Sequence, residues 1–191
     1  MQLVLGSTSP FRADLLRRLG VEFTTDAPDI DESRQPGESP RELVMRLSAA
    51  KAATVGERHP DSLVIGSDQV ACIDDQVLGK PGDRVRAIAQ LEQAAGRAVR
   101  FETGLTLLNT ASMHAQTVCE PFTVHFRDLD LARIERYVDA EEPFNCAGSF
   151  KSEGLGISLF SRLEGDDPNA LVGLPLIRLV DMLAQEGIQV P

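Results

Sequence analysis

The chain has 191 residues, 42% of them hydrophobic and 25% charged, with a formal net charge of -10. These values exclude a disordered chain and leave room for one sizeable core, and an acidic chain without a basic stripe has no means of displacing the counterions of nucleic acid. No run approaches the ~18 to 20 apolar residues of a membrane span. Cys72, Cys119 and Cys146 are odd in number and lack CxxC spacing, so a disulfide framework is not expected. A cytoplasmic protein, in contact with neither nucleic acid nor membrane, is the resulting expectation.

In chain order, residues 3–6 read as a short apolar strand, which enters a helix through "GSTSPFR". Ser9 is placed to cap that helix, Pro10 to open it and Gly20 to end it, with Phe11, Leu15 and Leu19 recurring at helical spacing. "VEFTTDAP" predicts a second strand, followed by the acidic loop "DIDESRQPGE". "SPRE" then predicts a capping box of Ser39 and Glu42, opening a helix that runs to about Val55 with Leu43, Leu47 and Ala50 on its apolar face. Lys51 falls one position beyond that stripe. "SLVIGSDQVACI" is nearly continuous in β-forming residues and predicts a central strand. "DDQ" turns the chain back, and "VLGKPGD" leads into the helix "RVRAIAQLEQAAG". Residues 98–108 and 116–127 predict a long hairpin, and Asp130 caps a helix through Val138. "NCAGSFKSEGLGISLFSRLEG" is punctuated by glycine and carries no clear period. "EGDDPN" reads as an Asx-rich turn, and "LVGLPLIRLVDMLAQEG" as a closing amphipathic helix with Pro175 at its start. Helices interrupting strands, together with one long hairpin, predict a mixed α/β fold in a single domain spanning residues 1–191.

The basic residues divide unevenly, with 16 arginines against three lysines. Lys51, Lys80 and Lys151 each lie in or beside a short motif, where a compact ammonium differs in use from a planar guanidinium. The joint around Ser7, Thr8, Ser9 and Arg12 has two readings that the sequence leaves open. It is an ordinary capped helix, or a seat for phosphate built from free amides, the helix dipole and an arginine fork. Asp68 stands inside an apolar run, and a carboxylate there needs a partner or a cleft. Asp31 and Glu32 offer acids from a second segment, and carboxylates converging from two segments suit Mg²⁺ or Mn²⁺. His59, His114 and His125 show no zinc spacing, and no nucleophile elbow is present.

"GSTSPFR", "DIDES", "AAKA", "IGSDQV", "GKP", "CAGSFKSEGLG" and "EGDDPNALVGLPL" occur in an order and spacing that resembles the Maf family over nearly the whole chain. The resemblance implies a strongly bent mixed sheet flanked by helices, two lobes with a cleft as in ITPase-like folds, and often a homodimer. It implies a metal-dependent nucleoside triphosphate pyrophosphatase using Mg²⁺ or Mn²⁺. By the same resemblance Asp68 is the proton acceptor and a metal ligand, and Glu32 the second metal-side carboxylate. Ser7, Arg12, Lys51 and Lys80 hold the triphosphate, while Lys151 serves phosphate or only flanks Glu153. Phe11, Gln69 and Glu153 stand where the family's pyrimidine-directed branch has Arg, Thr and Gln, so the chain is similar to the branch acting on 7-methyl-GTP, a modified purine nucleotide. Glu153 could accept from guanine N1–H and N2–H, and Phe11, where that branch usually has Trp, could stack on the cationic methylated ring. A dTTP/UTP pyrophosphatase, or a nucleotide-binding regulator of cell division without catalysis, are the alternatives.

Overall fold

The computed structural model describes residues 1–74 and 76–191. Its elements, in chain order, are strand β1 (Gln2–Gly6), helix α1 (Pro10–Arg17), β2 (Thr24–Asp26), α2 (Pro40–Gly56), β3 (Ser62–Ile73) and β4 (Gln76–Leu78). Then follow α3 (Arg84–Ala94), β5 (Ala98–Asn109), β6 (His114–Phe126), α4 (Leu131–Glu141), β7 (Phe160–Glu164), α5 (Pro168–Val172) and α6 (Leu176–Gln185). Among the described residues the strands form one seven-stranded mixed sheet in the order β2-β1-β3-β5-β6-β7, with β4 paired to β3. The fold is mixed α/β, with helices flanking the sheet.

The chain divides into two compact units. The first holds residues 1–69, 103–120 and 167–191. Here β1 runs parallel to both β2 and β3, with Gly6 opposite Gly66. Leu3 and Leu5 face one side, in a core with Leu15 and Leu16 of α1 and Leu179 and Leu183 of α6. Val4 and Val64 face the other side, against Ala52 and Val55 of α2. Both faces of these strands are covered, which is why their sequences are apolar without alternation.

The second unit holds residues 70–102 and 121–166. Phe101, Phe126, Phe150 and Phe160 meet edge to face there, with ring centroids 4.8 to 5.6 Å apart. Helix α3 is tied to α4 by Arg84, which donates to both carboxylate oxygens of Asp139.

The caps on Ser9, Ser39 with Glu42, and Asp130 form as expected. Three segments differ from expectation, and a fourth, for which the sequence carries no clear period, takes a definite form. The second strand is confined to Thr24–Asp26, the residues that find partners on β1. Helix α4 continues past Val138 to Glu141 before a left-handed residue ends it. The "EGDDPN" segment is not simply a turn: Asp167 caps the short helix α5, which Gly173 ends before α6 begins at Leu176. The glycine-punctuated segment folds as two 3₁₀ turns, Ala147–Ser149 and Leu155–Leu159, followed by β7. The "DDQ" turn includes Asp75, which lies outside the described residues.

Candidate functional site

In the first unit, pairing of Gly6 with Gly66 sets the residues that follow β1 beside the second half of β3. This is the carboxyl end of two parallel strands, where α/β sheets open toward ligands. Ser7 is buried, and its hydroxyl accepts from the amide of Ser9 at 3.1 Å. The Ser9 hydroxyl caps α1. Phe11 at the start of α1 stays 39% exposed, an aromatic face left available beside this joint.

Helix α2 lies unusually close to the sheet. A Cβ on Gly66 would come within 2.1 Å of the Ser48 carbonyl oxygen, and one on Gly104 within 2.1 Å of the Val44 carbonyl oxygen. Only hydrogen fits at either position. That approach carries Lys51 into the interior, where it is buried rather than on the rim of the helix. Its Nζ lies 2.6 Å from Asp68 Oδ1 and 2.6 Å from Glu32 Oε1. Asp68 therefore has the partner that a carboxylate in an apolar strand requires.

Glu32 reaches this point because its loop is fastened to α2. Arg46 Nε and Nη2 donate to the two oxygens of Glu38 at 2.6 and 2.9 Å, and Nη2 also donates to the Ser33 carbonyl at 3.0 Å. Asp31 closes the loop locally by accepting from the Ser33 amide. Asp31 thus shapes the loop, while Glu32 meets the lysine.

Arg12 completes the cluster. Its Nε donates to the Gly173 carbonyl at 2.8 Å, and the same carbonyl accepts from the Ser67 hydroxyl at 2.8 Å. Burial lowers the pKa of the Arg12 guanidinium, while Asp68 and Glu32 act to raise it. Burial likewise pushes the Asp68 carboxyl up, against the pull of Lys51 and Arg12. Two acids and two cations thus share one half-desolvated place. Asp68 and Glu32 converge on a single cation position, and a hard divalent ion completed by phosphate oxygens and water suits that donor set. Among the described residues no cluster of three or more His, Cys, Asp or Glu side chains could hold a metal by itself.

Gln69 points elsewhere. Its amide nitrogen donates to the hydroxyl of Thr103 at 3.0 Å and to the carbonyls of Ala170 at 2.6 Å and Leu171 at 3.2 Å. The side chain is spent on holding α5. Asp167, Ser67, Thr103 and Gly173, none of them singled out from the sequence, brace the same segment. The adjacent "DPN", an acid before a proline that opens a helix, was the available signal for Asp167.

In the second unit, Lys80 is exposed in the loop after β4, and Glu153 is exposed in the turn before Leu155. Lys80, Lys151 and Glu153 all act electrostatically on the Cys146 thiol, whose pKa is raised chiefly by burial, so the three charges share one neighbourhood. Lys151 is not poised as a free cation: its ammonium donates to the Glu141 carbonyl.

A family model described as "Maf-like protein" matches residues 2–186. A protein from Alcanivorax borkumensis named 7-methyl-GTP pyrophosphatase is 62% identical over 189 residues, covering 99% of this chain and 96% of the relative. One of the same name from Pseudomonas aeruginosa is 60% identical, covering 99% and 98%. Among solved structures, the Staphylococcus aureus Ham1 protein aligns with a TM-score of 0.55 at 12% identity, over 98% of this chain and 100% of that one. A HAM1 protein from Coxiella burnetii aligns with a TM-score of 0.54 at 14% identity, over 97% and 99%. These two likenesses concern the fold alone. No helix among the described residues is long and apolar enough to cross a membrane.

Proposed function

The chain belongs to the Maf family, and from that premise we propose that it is a nucleoside triphosphate pyrophosphatase converting 7-methyl-GTP to 7-methyl-GMP and pyrophosphate. The observation that carries this reading is the buried Lys51 ammonium held between Asp68 and Glu32, with the Arg12 guanidinium under the influence of both acids. Without a metal ion, binding of a polyanion gains little from two carboxylates, whereas a hydrolase uses them to accept a proton and to hold a metal. The names of the relatives and the residues Phe11, Gln69 and Glu153 support 7-methyl-GTP over a pyrimidine nucleotide.

Asp68 is the proton acceptor. Water adds to the α-phosphorus, its proton passes to the Asp68 carboxylate, and the bond from that phosphorus to the bridging oxygen breaks, so pyrophosphate leaves with the electron pair. Burial pushes the Asp68 carboxyl upward, against the pull of Lys51 and Arg12. Lys51 and Arg12, with the joint at Ser7, hold the triphosphate and neutralise charge on the departing group. A divalent cation, Mg²⁺ or Mn²⁺, would be held by Asp68 and Glu32 together with phosphate oxygens, and when bound supplies Lewis-acid stabilisation. Glu153 accepts from the guanine edge and Phe11 stacks on the methylated ring, an attraction of about 0.5 to 2 kcal/mol. Gln69 contributes through the backbone of α5, which its side chain holds.

The test is pyrophosphate release from 7-methyl-GTP, GTP, dTTP and UTP, each with Mg²⁺, with Mn²⁺ and with chelator. Preference for 7-methyl-GTP and loss of turnover in chelator are expected; preference for dTTP or UTP would overturn the substrate assignment.

A further inference from the structure

Glu153 sits in a tight turn whose shape is set from α4. The Lys151 carbonyl accepts from the amides of Gly154 at 3.2 Å and Gly156 at 3.1 Å, wrapping the backbone around residues 152 and 153. Glu141, the last residue of α4, grips this turn at both ends. Its Oε1 accepts from the Leu155 amide at 2.9 Å, its Oε2 lies 3.7 Å from Lys151 Nζ, and its own carbonyl accepts from that ammonium. One helical turn earlier, the buried Tyr137 hydroxyl accepts from the Lys151 amide at 2.9 Å. Burial raises the Tyr137 pKa and keeps the phenol neutral.

The fit between helix and turn is close. A Cβ on Gly154 would lie 2.8 Å from Glu141 Oε1, so the carboxylate fills the space that any larger residue would take. Only 17% of the Glu141 side chain is exposed. Glu153 itself is exposed and accepts from the hydroxyl of Ser152, its neighbour in the same turn, at 3.2 Å. Its direction is therefore governed by the backbone of the turn, and that backbone by α4.

We infer that Glu141 is a positioning residue for base selection: with the Tyr137 hydroxyl and the Lys151 ammonium it fixes the turn that presents Glu153, and so sets preference for guanine nucleotides without touching them. This rests on the reading of Glu153 given above. It assigns the Lys151 ammonium to the clamp, not to phosphate. A carboxylate bound to both ends of the five-residue segment from Lys151 to Leu155 restricts it far more than two separate contacts would, and base recognition by paired hydrogen bonds tolerates little displacement.

The test compares kcat/KM for 7-methyl-GTP and UTP, with inorganic tripolyphosphate as a competitor that lacks a base. Glu141→Ala is expected to lower the 7-methyl-GTP to UTP ratio by about tenfold to a hundredfold, chiefly through KM, with tripolyphosphate inhibition unchanged. Glu141→Gln, whose amide oxygen still accepts from Leu155, recovers most of the ratio. Glu153→Gln serves as the reference. If Glu153→Gln collapses the ratio while Glu141→Ala leaves it intact, or if Glu141→Ala slows both nucleotides equally, the role of Glu141 is overturned and that of Glu153 stands. An unaltered ratio in Glu153→Gln overturns the reading of Glu153 and this inference with it. Where Glu141→Ala does not fold, Tyr137→Phe decides by the same ratio: a fall supports the clamp, and no change refutes it.

Discussion

Replacing Asp68 by asparagine separates chemistry from stability. The substitution keeps shape and leaves an oxygen that can still accept from Lys51, now 2.6 Å from Asp68 Oδ1. Breaking a buried ion pair outright costs about 3 to 5 kcal/mol, but that bound is not reached here. Glu32 remains 2.6 Å from the ammonium and its side chain is 59% exposed, so water and one acid still serve Lys51. The variant is also relieved of desolvating a carboxylate. What is lost is the strengthening of one hydrogen bond by charge, about 1 to 2 kcal/mol, or roughly 3 to 6 °C in Tm for a chain of this size. Loss of a general base, by contrast, removes about two to four orders of magnitude in rate, equivalent to roughly 3 to 5 kcal/mol of barrier. Because a domain is typically stable by about 5 to 15 kcal/mol, the variant remains folded at room temperature and its rate reports chemistry. The assay is pyrophosphate release beside a thermal melt. Turnover within about threefold of the parent, at saturating metal and substrate, would refute Asp68 as the base.

Arg46→Met releases the Glu32 loop from α2 without touching Lys51 or Asp68; the metal concentration giving half-maximal rate is expected to rise about tenfold, and an unchanged metal titration would count against Glu32. Glu38 is held down at about 2, first by the Arg46 hydrogen bonds, and Asp26 is likewise held at about 2 by Arg58 and His59. Since both folded pKa values lie below the ordinary carboxylate range, their stabilisation is present above it and is lost as pH falls toward about 2. Tm measured across that acid window should fall, and less steeply in Glu38→Gln; parallel curves would contradict the assignment. Phe11→Trp offers a stronger π-face to a cationic ring and is expected to lower KM for 7-methyl-GTP about two- to tenfold while leaving GTP nearly unaffected; equal effects on both nucleotides would remove stacking on the methylated ring.

Much of the scaffold was legible because it is written in local chemistry. Ser39 and Glu42 cap α2 within four residues of sequence, and the apolar run of β3 announces a strand covered on both faces. The need of Asp68 for a partner was also legible, since an acid in such a run cannot stay alone. The partner's identity was not. Lys51 lies off the apolar stripe of its own helix, and its burial follows from Gly66 and Gly104 admitting α2 to the sheet, a contact between segments far apart in sequence. Gln69 shows the same limit: its acceptors are carbonyls of Ala170 and Leu171, about a hundred residues away, on a short helix of which only Pro168 and Asn169 fall in the segment that reads as a turn. The glycines between residues 148 and 156 carried no period because several mark close approaches, as Gly154 does to Glu141, and those depend on tertiary contacts.

Under the proposed function, the charges of the first unit's cluster give a reason for acids and bases to be kept together where a polyanion would bind. Asp68 and Glu32 offset Lys51 and Arg12, so the desolvated group is near neutral and stable without a guest. A triphosphate entering alone would bring several negative charges against two carboxylates and gain little from cations already paired. With a divalent ion the balance changes. The acids acquire a partner stronger than an ammonium, and Lys51 and Arg12 are released toward phosphate oxygens. Affinity for the triphosphate should therefore rise with divalent ion and the ion's affinity rise with triphosphate, since coupling between two ligands is reciprocal. Calorimetric titration of a non-hydrolysable triphosphate with and without Mn²⁺ reads that coupling directly, and equal affinity in the two titrations would show that the carboxylates answer to something other than a cation.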